Sequence, residues 1–65
     1  VKFKFNGESI VLDRDMTIKE YISLLNIDTT GIIVLVDDEI LPKEQLDILI
    51  KDSCNIEVLK FVCGG

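Results

Sequence analysis

The first seven residues, Val1-Lys2-Phe3-Lys4-Phe5-Asn6-Gly7, constrain the fold more than any other stretch of the chain. Apolar and charged residues alternate strictly, with Val1, Phe3 and Phe5 on one side and Lys2 and Lys4 on the other. That period of two is the mark of a strand with one buried face. Asn6-Gly7 tolerates positive φ at both positions and is the strongest short hairpin signal. Residues Ser9 to Leu12 therefore read as the returning strand, and the chain opens with an antiparallel hairpin that must find something to cover its apolar face.

The cover is announced a few residues later. Thr17 and Glu20 form a T-x-x-E capping box, and Met16 and Tyr21 are spaced as a hydrophobic staple around it. Ile18, Tyr21, Ile22 and Leu25 recur at i, i+3, i+4 and i+7, giving a helix with one apolar stripe that ends near Asn26. After Gly31, the run Ile32-Ile33-Val34-Leu35-Val36 is short, apolar and mostly β-branched, and predicts a central strand covered on both faces. Glu39 to Leu41 forms a short partner strand across the Asp37-Asp38 turn, and Pro42 stops it. Residues 43–50 read as a helical turn followed by a loop that drops Leu46 and Leu49 into the core. Ile56 to Phe61 is the last strand.

The order β-β-α-β-β-β, with one main helix across one face of a mixed sheet of four to five strands, is an α+β, ubiquitin-like β-grasp arrangement. It occupies residues 1–61, with residues 62–65 expected to be a flexible diglycine tail. Sixty-five residues make one domain, small enough to bury only about 60% of the surface that the unfolded chain exposes.

Composition removes several functions. Twelve acidic against seven basic residues give a net charge of −5, without the basic patch that nucleic-acid binding requires. An acidic chain would instead be steered toward a basic partner surface, or its charge serves solubility alone. No apolar run reaches the roughly 18 residues of a membrane span. The alternating start also lacks the unbroken apolar block of a secretory signal, which leads to an expectation of the cytoplasm and of no membrane association.

Two cysteines and no histidine are too few donors for a structural zinc site or a four-cysteine iron–sulfur cluster, so neither a metal nor another bound cofactor is expected. Cys54 and Cys63 bracket the last strand and would lie about 30 Å apart at roughly 3.3 Å per residue. A disulfide needs Cα atoms within about 7 Å. Both therefore read as reduced thiols: Cys54 as a part-buried thiol of a turn, Cys63 as a small residue of the tail. A mixed-disulfide role for Cys63 has no adjacent positive charge to lower its pKa.

Side chains alternate along the last strand. If Ile56 and Val58 face the helix, then Glu57, Leu59 and Phe61 lie on the open side of the sheet. Either the 43–50 loop covers Leu59 and Phe61, or they form an apolar docking site for a partner. Glu57 on the same face favours docking. Val62, Cys63, Gly64 and Gly65 follow. Diglycine has no Cβ to obstruct a narrow channel, so an extended end of this kind can thread into another protein and present its carboxylate.

On these residues the chain resembles the ubiquitin-like sulfur carriers, most of all those of thiamine biosynthesis, the ThiS type. The marks are Phe3-x-Phe5-Asn6-Gly7, Thr17-Ile18-x-Glu20, the stretch Val36 to Leu46 against a V-N-x-x-I-V-P-R-x-x-W pattern, Ile56-Glu57-Val58, and the closing Gly64-Gly65. The chain departs from the pattern at Asp37 (usually Asn), at Leu46 (usually Trp), and at Asp52-Ser53-Cys54, where a D-G-D turn is common. The resemblance implies that the chain is a protein co-substrate and not an enzyme. An E1-like adenylyltransferase would use ATP to adenylate the Gly65 carboxylate. Sulfur from a persulfide donor would convert it to a thiocarboxylate, and a thiazole synthase would receive the sulfur. Leu59, Phe61 and Val62 would guide docking, and Gly64 would give clearance. The small subunit of a molybdopterin synthase, a lysine-conjugated protein modifier and a plain binding module are the competing readings.

Overall fold

The computed structural model describes residues 1–60. Phe61 and the tail at 62–65 lie outside the described residues, and so does the boundary expected between them. Within residues 1–60 the elements run β1 (Lys2–Phe5), β2 (Glu8–Val11), α1 (Ile18–Leu24), β3 (Ile32–Val36), β4 (Glu39–Leu41), a 3₁₀ turn (Lys43–Gln45) and β5 (Asn55–Lys60). The five strands form one mixed sheet in the order β2-β1-β5-β3-β4. Only β1 and β5 pair in parallel; the other three pairings are antiparallel. This is the expected β-grasp.

Local chemistry accounts for the helix. Thr17 has extended φ and ψ and accepts the Glu20 N–H through its side chain at 3.1 Å, while the Glu20 carboxylate accepts the Thr17 N–H at 2.9 Å. These bonds satisfy two of the donors that a helix start leaves unpaired. They also hold the Glu20 carboxyl below its ordinary value, chiefly through the bond from the Thr17 backbone. The other end is a Schellman closure. Asn26 sits in the left-handed region at φ 59, and the Asn26 and Ile27 N–H groups reach back to Ser23 and Ile22 carbonyls. Leu25 caps this end and is exposed, so the apolar stripe is one residue shorter than its spacing predicts.

The core lies between the helix and one face of the sheet. Phe3, Phe5, Met16, Ile18, Tyr21, Ile22, Ile32, Val34 and Ile56 are buried there. Ile22 and Ile56, one from the helix and one from the middle strand, are fully inaccessible, and each such burial stabilises the fold by about 1.5–3 kcal/mol. Tyr21 meets Phe3 and Phe5 edge-on, with ring centroids 5.3 and 5.1 Å apart, the arrangement that aromatic quadrupoles favour. Burial, and secondarily the charge of Glu8, push the Tyr21 phenol upward.

Three expectations are corrected. The central strand is β5, not β3, because β1 pairs with β5 and leaves β3 one place from the edge. Accordingly β3 is buried on one side only: Ile32 and Val34 face the helix, while Ile33 and Leu35 are half-buried on the other side. In the 43–50 segment Leu46 enters the core as expected, but its companion is Ile50 and Leu49 is exposed. Hydrogen bonds from Ile18 N–H to the Ile48 carbonyl and from Ile50 N–H to the Met16 carbonyl make a one-residue antiparallel bridge between Thr17 and Leu49. The backbone there is extended, so Leu49 and Ile50 point opposite ways.

The turn that enters β5 forms without its glycine. Ser53 takes the left-handed conformation at φ 68, its N–H bonds to the Lys2 carbonyl at 2.7 Å, and Asp52 accepts the Lys2 N–H at 2.7 Å. Asp37 Oδ1 accepts the Asn55 N–H at 2.9 Å, and Asn6 Oδ1 accepts the Val58 N–H at 2.9 Å. Turn side chains thus tie β5 down at Asn55 and Val58, around its pairing with β1.

Candidate functional site

The sheet has one face under the helix and one face open, and its register sorts the side chains between them. Residues directly paired across strands share a face. Leu59 pairs with Ile33, Glu57 with Leu35, and Leu35 in turn with Ile40. These residues therefore form one contiguous apolar surface three strands wide, broken by Glu57. Leu59 is 50% exposed and Ile40 69%. On the same strand Ile56 and Val58 face the helix, as alternation requires.

The covering of Leu59 by the 43–50 segment does not occur. That segment is committed to the helix side, through Leu46 and Ile50 in the core and the bridge to Thr17. Leu59 thus stands where the sequence places it, on the open side of the sheet, half exposed among the described residues. Sequence reasoning missed Ile33, Leu35 and Ile40 as its neighbours. The signal is present in the Ile32–Val36 run, but an unbroken apolar run predicts a strand covered on both sides. Strand order is needed to see that half of that run faces outward.

Phe61, Val62, Cys63, Gly64 and Gly65 lie outside the described residues, so the structure assigns geometry to none of them. Cys54 is buried at the entrance to β5. Burial pushes its thiol upward, and the charges of Asp37 and Asp52 add to the shift, which makes it a poor nucleophile at neutral pH. Among the described residues no group of three or more His, Cys, Asp or Glu is placed to hold a metal ion. No helix among them is long and apolar enough to cross a membrane. Chemically, the described part of the molecule offers a surface: an exposed apolar face on the strand that leads toward Gly64-Gly65.

The model of the ThiS family matches residues 2–65, from the first strand through the diglycine. This chain belongs to the ThiS family. Membership supports the sulfur-carrier role that the sequence resemblance implied. No curated protein sequence matches it. Among solved structures, the ThiS-family chain is similar to the crystal structure of a thiamine biosynthesis protein, ThiS, from Geobacter metallireducens. That match has 26% identity and a TM-score of 0.82, and covers 100% of both chains. The solution NMR structure of a thiamine biosynthesis protein from the same organism matches at 25% identity and a TM-score of 0.76, covering 100% of this chain and 88% of that one.

Proposed function

We propose that the chain carries sulfur for thiamine biosynthesis as a thiocarboxylate on Gly65, and that partner enzymes perform every chemical step. A carboxylate is a poor electrophile. In the proposed sequence an E1-like adenylyltransferase couples the Gly65 carboxylate to ATP, releasing pyrophosphate and making AMP a leaving group. The terminal sulfur of a persulfide donor then attacks the Gly65 carbonyl carbon and displaces AMP. Cleavage of the S–S bond by a second thiol leaves the thiocarboxylate on Gly65 and the donor's sulfur in a disulfide. The thioacid sulfur, a better nucleophile than a carboxylate oxygen, passes to a thiazole synthase.

The observation that carries this reading is the family match through Gly64-Gly65, joined to a β5 strand whose outward face is bare at Leu59. The fold supplies recognition: Leu59 with its β3 and β4 neighbours, and Phe61 and Val62 beyond, would seat the partner. Gly64 and Gly65 present no side chain to the partner's channel. The reading includes no metal or bound cofactor on the chain, with ATP used only by the activating enzyme.

Intact-mass measurement after incubation with ATP, the adenylating enzyme and a persulfide donor is the direct test. The expected product is heavier by the difference between one sulfur and one oxygen atom, and deletion of Gly65 abolishes the change. If the wild-type mass stays constant and no acyl-adenylate can be trapped, the reading is wrong. Capture of thiazole synthase, and not of the large subunit of molybdopterin synthase, by the thiocarboxylated chain identifies the acceptor.

A further inference from the structure

The open face is charged oppositely to the molecule that bears it. Ten strand positions face outward: Lys2, Lys4, Ser9, Val11, Ile33, Leu35, Ile40, Asn55, Glu57 and Leu59, as fixed by the pairing register. Two lysines and one glutamate give this face a formal charge of +1. The remainder of a chain whose total is −5 therefore carries −6.

The lysines are not scattered. Lys4 is flanked by Ser9 on β2 and Asn55 on β5, and Lys2 pairs with Val11. Lys2, Lys4, Ser9, Ser53 and Asn55 line a shallow recess of about 330 Å³, and their side chains are all hydrogen-bond donors or amphoteric groups. Asp52, next in sequence to Ser53, has its Oδ1 engaged by the Lys2 N–H. Glu57 lies one row further along β5, beside Leu35.

We propose that this face takes a protein surface with an apolar centre and a carboxylate cluster along one side, the apolar part meeting Leu59, Ile33, Leu35 and Ile40 and the carboxylates meeting Lys2 and Lys4. The inference rests on the sulfur-carrier reading and adds the chemistry of the partner. It reverses the expectation, drawn from net charge alone, that an acidic chain is steered onto a basic partner. A flat apolar patch leaves rotation about its normal poorly determined. An ion-pairing row on one side fixes that rotation, and with it the direction in which β5 delivers the chain toward the partner's active site.

The two electrostatic pictures predict opposite signs, which makes the test sharp. The association rate with the adenylating enzyme is measured by stopped flow for wild type, K2E/K4E, K2R/K4R and Glu57→Gln, at about 50 and about 500 mM NaCl. Both lysines are exposed, and circular dichroism melts confirm that each variant is folded. K2E/K4E slows association about tenfold at low salt, and the difference shrinks at high salt. K2R/K4R matches wild type, and Glu57→Gln speeds association. If K2E/K4E associates as fast as wild type or faster, the net charge governs docking and the inference is overturned while the carrier reading stands. If the wild-type chain fails both to bind the adenylating enzyme and to gain mass with ATP, the carrier reading falls and takes this inference with it.

Discussion

Ser53 shows what a single residue contributes where the family pattern has glycine. Its φ of 68 lies in the left-handed region, where an L-residue crowds its own carbonyl at about 1–2 kcal/mol. The turn holds because the Ser53 N–H and the Asp52 side chain both bond to Lys2, tying the start of β5 to β1. Ser53→Gly relieves the strain but gives the unfolded chain more freedom, at about 0.5–1 kcal/mol. The expected net effect is stabilisation of up to about 1.5 kcal/mol, seen as a higher urea midpoint with an unchanged slope. A lower midpoint would mean that the serine hydroxyl contributes more than its backbone costs. The same conformational demand is met more comfortably at Asn6 and Gly7, where φ is 49 and 84. The Asn-Gly signal was legible because those residues suit that backbone, whereas Asp-Ser-Cys holds no residue that marks which position takes positive φ.

At the scale of the element, α1 has seven residues, too short to persist alone, so its two ends and its buried stripe decide whether it forms. The capping box gives its stability a pH signature. The Glu20 carboxyl is depressed in the folded state, so its contribution is complete above the unfolded value. That contribution is lost as pH falls through the lower folded one. Glu20→Gln keeps an oxygen for the Thr17 N–H but removes the charge. Wild type should therefore exceed the variant in unfolding free energy at pH 7, and the two should converge as pH falls below the depressed folded value. A gap that persists unchanged into acid would show that the charge is irrelevant to the cap. This helix was legible because its signals are local: a box, a staple and a 3.6-residue stripe. The choice between Leu49 and Ile50 was not, because it depends on a bridge to Thr17 more than thirty positions away. Nor was the rank of β3 and β5 in the sheet. Both runs are apolar enough for a centre, and the parallel pairing of β1 with β5 decides between them. Leu59 was legible from alternation within one strand. The apolar patch around it and the lysine row beside it became visible only with the strand order.

For the whole molecule, the proposed function separates recognition from chemistry, and the separation can be tested. The open face sits opposite the core, so changes there leave the packing of Phe3, Tyr21, Ile22 and Ile56 untouched. In the proposed function the reactive carboxylate belongs to Gly65, and its capacity to be adenylated is a property of the chain end and not of the sheet. Leu59→Asp places a charge in the middle of the surface that would be buried against a partner, where an unpaired carboxylate costs several kcal/mol. It also removes the side chain paired with Ile33. Because Leu59 is half exposed in the free chain, its folding stability should change by no more than about 1 kcal/mol, whereas affinity for the adenylating enzyme should fall at least about a hundredfold. Deletion of Gly65 should do the reverse: binding through the face persists, and thiocarboxylate formation is abolished. The decisive comparison is the dependence of mass conversion on enzyme concentration. Leu59→Asp should recover product at high enzyme concentration, since its chain end is intact, and the Gly65 deletion should never do so. If Leu59→Asp binds and converts as wild type does, the open face of the sheet is not where the activating enzyme docks, and recognition must rest on the helix side or on residues beyond Lys60.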